Sequence, residues 1–155
     1  MVTNESPRAR RIPGLSFSAA TVGGFFTPGE WYAQLAKPSW NPPSWVFGPV
    51  WTVLYTTIGV SACLVWRDQG IGGARAAFAV YVAQLVLNAI WSWLFFGLHR
   101  PGIALVEIVV LWAAILATII LFRRVSRLAA ALLVPYLLWV GFAAILNAAL
   151  WRLNQ

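Results

Sequence analysis

Long apolar runs alternate with short polar segments along most of this chain. Residues 38–66, 76–99 and 128–151 contain no Asp, Glu, Lys or Arg, and residues 101–122 contain one, Glu107. Each run is long enough to supply the roughly 20 residues that cross a bilayer core as a helix. None shows the alternation over about 10 residues that a membrane strand requires. The pattern therefore predicts an all-α membrane protein.

The run boundaries predict a five-transmembrane-helix bundle over residues 12–155, preceded by a disordered basic tail at residues 1–11. The helices are expected at about residues 15–26, 44–66, 76–98, 103–122 and 128–151. The first of these is short for a span and could cross if it tilts little within the bundle. We expect Arg67–Arg75 to form a polar turn and Pro49 to kink the second helix.

Composition and charge support the same class of protein. Hydrophobic residues make up 61% of the chain and charged residues 10%, against a norm of about 25% charged. The net charge of +7 does not indicate nucleic-acid binding, because the basic residues lie at the ends of the apolar runs.

The distribution of basic residues between the two sides predicts the orientation. Three lie in the tail, two bound the 67–75 segment and three lie at residues 123–127, whereas the opposite side has only Lys37, Arg100 and Arg152. The positive-inside rule then places the N-terminus in the cytoplasm and the C-terminus outside. We expect a multi-pass integral membrane protein, and the sequence leaves open which membrane holds it.

The stretch from Trp31 to Tyr55 is unusually rich in aromatic residues and proline. It contains four Pro and four of the ten Trp residues of the chain. Proline fixes φ and removes a backbone donor, so the loop before the second helix should be rigid. Such a loop could cover a flat apolar ligand, or it could be an interfacial Trp/Tyr belt that needs no ligand.

Aromatic and amide side chains share faces on three predicted helices, because residues at i, i+4 and i+7 lie together. The three faces hold Trp51, Tyr55, Ile58 and Ala62, then Tyr81, Gln84, Asn88, Trp91 and Phe95, then Tyr136, Trp139, Ala143 and Asn147. Amides in hydrocarbon are costly unless they find partners. The faces therefore suggest either an internal cavity with convergent polar groups or interhelical hydrogen bonds without a ligand.

Other chemistry has little support in the sequence. Glu107 lies one turn into the fourth helix, where His99 or Arg100 could pair with it near the interface. His99 is the only His of the chain, so we expect no metal site. We find no Gly-rich phosphate loop, paired inward carboxylates or nucleophile–base pair, which disfavours hydrolytic and phosphoryl chemistry.

Three segments resemble the translocator protein family, also called tryptophan-rich sensory protein or peripheral benzodiazepine receptor. They are WYAQLAKPSWNPPSWVFGPVWTVLY, YVAQLVLNAIWSWLFFG and PYLLWVGFAAILNAALWRLN, and the resemblance covers roughly residues 17–154. It implies a bacterial-type five-helix member that binds protoporphyrin IX, or haem, as a non-covalent ligand near the first loop. It also implies membrane lipid as a partner and a homodimer.

The resemblance implies several ligand contacts by motif, and the helix faces add others. The motifs give Tyr32, Pro42, Trp51, Asn88, Trp91, Trp139 and Ala143, and the faces add Tyr55, Gln84 and Asn147. The leading hypothesis is a membrane receptor or sensor that regulates porphyrin level or signalling. The alternatives are light-dependent porphyrin degradation, in which Trp51 and Trp139 would be catalytic, and translocation of porphyrin or another lipophile.

Two further features refine these expectations. Ala79 and Ala83 form a small-xxx-small pair that would allow close contact between helices of two copies. The sterol-recognition pattern of the family needs a Tyr before a basic residue at the end of the fifth helix, and the run LNAALWR lacks it. We therefore expect no sterol site there.

Overall fold

The computed structural model describes residues 28–155, which form helices joined by short links. A short helix, α1, spans Glu30–Gln34. A 3₁₀ turn, Ser44–Val46, leads into α2, Phe47–Gly73, and α3 follows at Arg75–Ser92. A π-helical turn, Trp93–Gly97, continues α3; α4 spans Pro101–Arg123 and α5 spans Arg127–Leu153. The predicted tail, residues 1–11, and first helix, residues 15–26, lie outside the described residues.

The four long helices are each long and apolar enough to cross a membrane. In α4, Val106, Val109 and Val110 are exposed, whereas Ile108 and Leu111 are buried in the core. A helix that is apolar on every side is typical of a membrane span, because its outer face meets lipid rather than water. The all-α prediction is confirmed for the part of the chain that the structure describes.

The helices pack in an order that differs from their order in the sequence. α5 contacts both α2 and α4, and α4 also contacts α3. α2 and α3 follow each other in the chain but touch only sparsely. The largest fully buried side chains come from all four long helices and include Ile58, Tyr81, Phe95, Ile108, Leu111, Ile115, Phe122, Leu133, Tyr136 and Leu150.

Local sequence explains how the helices begin and turn. Ser126 caps α5, since its hydroxyl accepts a hydrogen bond from the Ala129 N–H at 3.3 Å. Pro101 occupies the first turn of α4, where its missing N–H costs no helical bond. Between α3 and α4, His99 adopts a φ of 55°, and this left-handed residue makes the predicted hairpin tight.

Of two sequence expectations about α2, the turn is confirmed only in part and the Pro49 kink is wrong. The segment expected to be a turn from Arg67 continues as helix through Gln69 and is then interrupted by a kink at Gly70, whose φ of 63° and ψ of 175° are not helical, before the last helical residues up to Gly73. The apolar pattern ended at Trp66, yet the helix continues with exposed polar residues, which cost nothing in water. Pro49 lies in the first turn of α2, a position where proline removes no helical hydrogen bond and causes no kink.

The two ends of the bundle differ in chemistry. One end, here called the loop end, contains α1, the 3₁₀ turn, the His99 hairpin and the C-terminus. The other, here called the arginine end, carries the exposed side chains of Arg67, Arg75, Arg123, Arg124 and Arg127.

Candidate functional site

A pocket opens at the loop end between α1, α3 and α5. It has about 290 Å³ of free space, its open mouth included. Its lining residues, most of them aromatic, are Tyr32, Phe47, Trp91, Phe95, Phe96, Ala143, Leu146, Asn147 and Leu150. We call this the loop-end pocket.

Helical periodicity explains one wall of the pocket. Ala143, Leu146, Asn147 and Leu150 lie at i, i+3, i+4 and i+7 of α5, so they share a face. The sequence analysis found Ala143 and Asn147 and missed the two leucines, although the same spacing contains them.

The opposite wall comes from the end of α3. Trp91 stacks on Phe95 with ring centroids 5.4 Å apart and an interplanar angle of 22°. Phe96 meets both rings edge-on, at 5.9 Å from Trp91 and 4.8 Å from Phe95. Phe96 follows Phe95 directly and reaches the pocket through the π-helical turn, so regular helical spacing could not predict it.

Tyr32 in α1 covers the pocket from the loop side. Only 3% of its surface is exposed, and its ring lies 5.9 Å from that of Phe96. Its hydroxyl donates a hydrogen bond to the Asn41 side chain at 2.9 Å. Burial raises the pKa of the Tyr32 phenol above its usual value, so the hydroxyl stays protonated at neutral pH.

The loop that carries Tyr32 is fastened to the rest of the loop end at two places. The Ala36 N–H donates to Asn154 Oδ1 at 2.9 Å, and Asn154 Nδ2 donates back to the Ala36 carbonyl at 3.0 Å. Trp31 stacks on His99 at 4.3 Å with an interplanar angle of 10°. The sequence analysis found neither contact, because each joins residues far apart in the chain.

Asn147 connects three elements beside the pocket. Its Oδ1 accepts a hydrogen bond from the Trp91 indole N–H at 3.1 Å, and its Nδ2 donates to the Pro101 carbonyl at 2.7 Å. The Asn147 amide therefore orients the Trp91 ring while also tying α5 to the start of α4.

A second polar group lies deeper in the bundle. The Tyr55 hydroxyl donates to Asn88 Oδ1 at 2.9 Å, and Asn88 Nδ2 donates to the Tyr136 hydroxyl at 2.8 Å. Trp51 stacks on Tyr55 at 5.4 Å. This network joins α2, α3 and α5, as interhelical hydrogen bonds do in membrane proteins.

The structure divides the predicted ligand contacts into groups. Tyr32, Trp91, Ala143 and Asn147 line the loop-end pocket, whereas Trp51, Tyr55 and Asn88 belong to the deeper network. Trp139 reaches the pocket only through Phe47, whose ring lies 5.9 Å away, and Pro42 lies in the loop without lining the pocket. Contact of each residue with a ligand stays a prediction.

Two buried polar side chains remain unpaired. Gln84 is 1% exposed, and neither its amide oxygen nor its nitrogen has a hydrogen-bond partner among the described residues. Both carboxyl oxygens of Glu107 are likewise buried without a partner there, so the expected pairing with His99 or Arg100 is wrong. Within residues 28–155, no group of three or more His, Cys, Asp or Glu side chains could hold a metal ion.

Comparison with known proteins identifies the family. The model of the TspO/MBR family matches residues 12–152. The chain belongs to the TspO/MBR family. Among its relatives, the human translocator protein is 42% identical over 154 aligned residues, which cover 93% of this chain and 91% of that protein. The tryptophan-rich protein TspO of Chlorobaculum tepidum is 44% identical, covering 91% of this chain and 92% of that protein.

A third relative is similar to this chain to about the same extent. The tryptophan-rich sensory protein of Cereibacter sphaeroides is 42% identical, covering 87% of this chain and 84% of that protein. The resemblance seen in three sequence segments is therefore confirmed over most of the chain. TspO/MBR membership and the four apolar helices together make this an integral membrane protein of the translocator and sensory protein class.

Proposed function

We propose that this TspO/MBR member is a membrane receptor or sensor that binds protoporphyrin IX, or haem, at the loop-end pocket and so regulates porphyrin level or signalling. The observation that carries this proposal is the aromatic lining, above all the stacked pair Trp91 and Phe95. Flat aromatic faces suit a large planar macrocycle, because each ring adds stacking energy to the area it buries.

The size of the pocket indicates how such a ligand would enter. Pockets for drug-sized ligands span roughly 300–1,000 Å³, whereas the enclosed cavity here is only about 20 Å³. A macrocycle would therefore need the α1 loop to move outward. The loop is held by side-chain contacts at Trp31 and Ala36, which can open without unfolding a long helix.

A porphyrin titration of the detergent-purified protein tests the proposal. We expect saturable quenching of Trp fluorescence by protoporphyrin IX, with a matched change in porphyrin absorbance in the dark. Trp91→Leu should weaken binding strongly, because it removes a wall of the pocket, whereas Trp66→Phe serves as a control outside it. The absence of saturable binding by the wild-type protein would contradict the proposal.

Light-dependent porphyrin degradation is a second candidate function. Trp139 lies one aromatic ring, Phe47, from the pocket, and Trp51 stacks on Tyr55 at 5.4 Å. These oxidisable side chains could exchange electrons with an excited ligand. Loss of porphyrin absorbance that occurs only under illumination, and that falls in Trp51→Phe and Trp139→Phe, would favour degradation. Flux of porphyrin into liposomes would instead favour translocation.

The membrane arrangement completes the proposal. We infer that residues 15–26 supply a fifth span, with the N-terminus cytoplasmic. We also propose a homodimer, because Ala79 and Ala83 are exposed on α3 at small-xxx-small spacing. Ala83→Leu should lower the dimer fraction in detergent, and an unchanged fraction would place the interface elsewhere.

A further inference from the structure

Each polar side chain that lines the loop-end pocket is already hydrogen-bonded within the protein. Asn147 accepts from the Trp91 indole and donates to the Pro101 carbonyl, and the Tyr32 hydroxyl donates to Asn41. A ligand inside the pocket therefore meets mainly aromatic and aliphatic surface, because these polar side chains are turned to partners within the protein. An ionised group placed there would lose its hydration with nothing in exchange, which is strongly unfavourable.

A cation lies at the rim of this apolar pocket. Lys37 follows α1, and its Nζ lies 5.0 Å from the centroid of the Tyr32 ring. The aromatic neighbours of Tyr32, which are Phe47, Phe95 and Phe96, line the pocket. Nζ also donates hydrogen bonds to the carbonyls of Ala33 at 3.0 Å and Leu35 at 3.1 Å. These bonds hold the ammonium group in place above Tyr32.

The Lys37 ammonium keeps both charge and donor capacity. It has three N–H groups, and the two carbonyls occupy two of them. Among the described residues, the recorded ion pair joins Arg67 and Asp68 at the arginine end, so no carboxylate neutralises Lys37. A positive charge with a spare donor, fixed beside an apolar pocket, is suited to an anionic group that remains in the wetter surroundings.

We propose that Lys37 makes the loop-end pocket selective for ligands that combine a flat apolar body with a carboxylate. The body enters between Tyr32, Trp91 and Ala143, and the carboxylate stays at the rim, where it accepts a hydrogen bond from Lys37 Nζ. Charge-assisted hydrogen bonds of this kind are stronger than neutral ones. This inference rests on the proposed function and adds the chemical class and orientation of the ligand.

Two probes with the same macrocycle test this inference. Protoporphyrin IX has carboxylates, and its dimethyl ester lacks their charge. Lys37→Gln removes the ammonium charge but keeps an amide that can donate to the Ala33 and Leu35 carbonyls, so the loop should stay intact. We expect affinity for the acid to fall about tenfold in a non-ionic detergent, whereas affinity for the ester changes less than about twofold.

Two matched variants complete the experiment. Lys37→Arg keeps the positive charge and should retain most of the preference for the acid. Arg152→Gln removes an exposed cation from the same end of the bundle and should leave both affinities unchanged. Added salt should weaken binding of the acid more than binding of the ester, because it screens an exposed charge pair.

The possible failures are distinguishable. If Lys37→Gln weakens acid and ester equally, Lys37 only supports the loop and the inference is wrong. If the wild-type protein binds the two probes equally and the variant does not change this, the inference is also wrong. If the wild-type protein binds neither probe, the proposed function itself fails and this inference fails with it.

Discussion

The loop end and the arginine end of the bundle are built from the same four helices but in different ways. At the loop end, α1 folds back over the helix ends, and the rings of Trp31 and Tyr32 both contact Phe95. At the arginine end, short links expose Arg67, which pairs only with its neighbour Asp68 at 3.3 Å. The loop end is therefore the proposed ligand site, and the arginine end is the proposed cytoplasmic face.

The largest expected effect is an all-or-none difference in labelling between the two ends. In a Cys63→Ala background, Gln69→Cys at the arginine end should react only with a reagent inside the cell, and Gln34→Cys at the loop end only with one outside. Gln69 is preferable to Gly70, whose φ of 63° would strain any side chain. The reverse pattern would overturn the charge-based orientation.

Removing one buried hydrogen-bonding side chain near each end of the bundle should show whether porphyrin affinity depends on local contacts or on the stability of the whole protein. Asn147→Ala leaves the Trp91 indole and the Pro101 carbonyl without partners, so we expect a loss of about 2 kcal/mol in stability and about tenfold in porphyrin affinity. Ser61→Ala, which breaks a 2.7 Å bond to the Ala129 carbonyl, should cost about 1 kcal/mol and leave affinity unchanged.

Thermal melts and porphyrin titrations measure these two quantities on the same samples. An equal loss of affinity in Asn147→Ala and Ser61→Ala would mean that binding depends on the stability of the whole bundle. The proposal that ligand binding belongs to the loop end alone would then be wrong.

Tryptophan substitutions should have a moderate effect that depends on position. Trp51→Phe and Trp139→Phe keep a ring but lose area, and each should reduce porphyrin affinity by about tenfold or less. Neither lines the pocket: Trp139 contacts the lining residue Phe47, whereas Trp51 stacks on Tyr55 in the deeper network, so the losses should be smaller than for Trp91. Trp66→Phe and Trp112→Phe are the controls in titrations, and equal losses at all four positions would remove the case for a localised pocket.

The smallest equilibrium effect should come from opening the loop. Asn154→Ala removes both hydrogen bonds to Ala36, so the α1 loop should open more often. Stopped-flow quenching should show faster association and faster release, with affinity changed by less than about threefold because both rates rise. Gln155→Ala, at the next and also exposed position, is the control, and unchanged rates in Asn154→Ala would show that α1 does not gate entry.

The fold was largely predictable because the hydrocarbon core of a membrane imposes a simple constraint. Apolar runs with at most one charged residue predicted α3, α4 and α5 to within a few residues of the observed ends. The end of α2 was not predictable in this way, because the exposed polar residues after Trp66 continue the helix as far as the kink at Gly70. Charge marks where hydrocarbon ends, not where a helix ends.

The site was only partly predictable for a related reason. Spacing within one helix found Trp91 and Asn147, which share the pocket and a hydrogen bond. It could not distinguish them from Asn88, one turn earlier than Trp91 on the same face, which bonds to Tyr55 and Tyr136 instead. The position of a residue along the helix axis decides whether it reaches the pocket. Helical periodicity shows which face a residue lies on but not how far along the axis the pocket lies.

The π-helical turn Trp93–Gly97 affects how the pocket wall at the end of α3 can change during evolution. Such a turn accommodates one more residue than an α-helical turn, and one residue corresponds to about 100° of helical rotation. Loss of a single codon within the turn would restore a regular helix and rotate Phe96 relative to Trp91. A one-residue deletion, rather than a substitution, is therefore the smallest genetic step that would rebuild this surface.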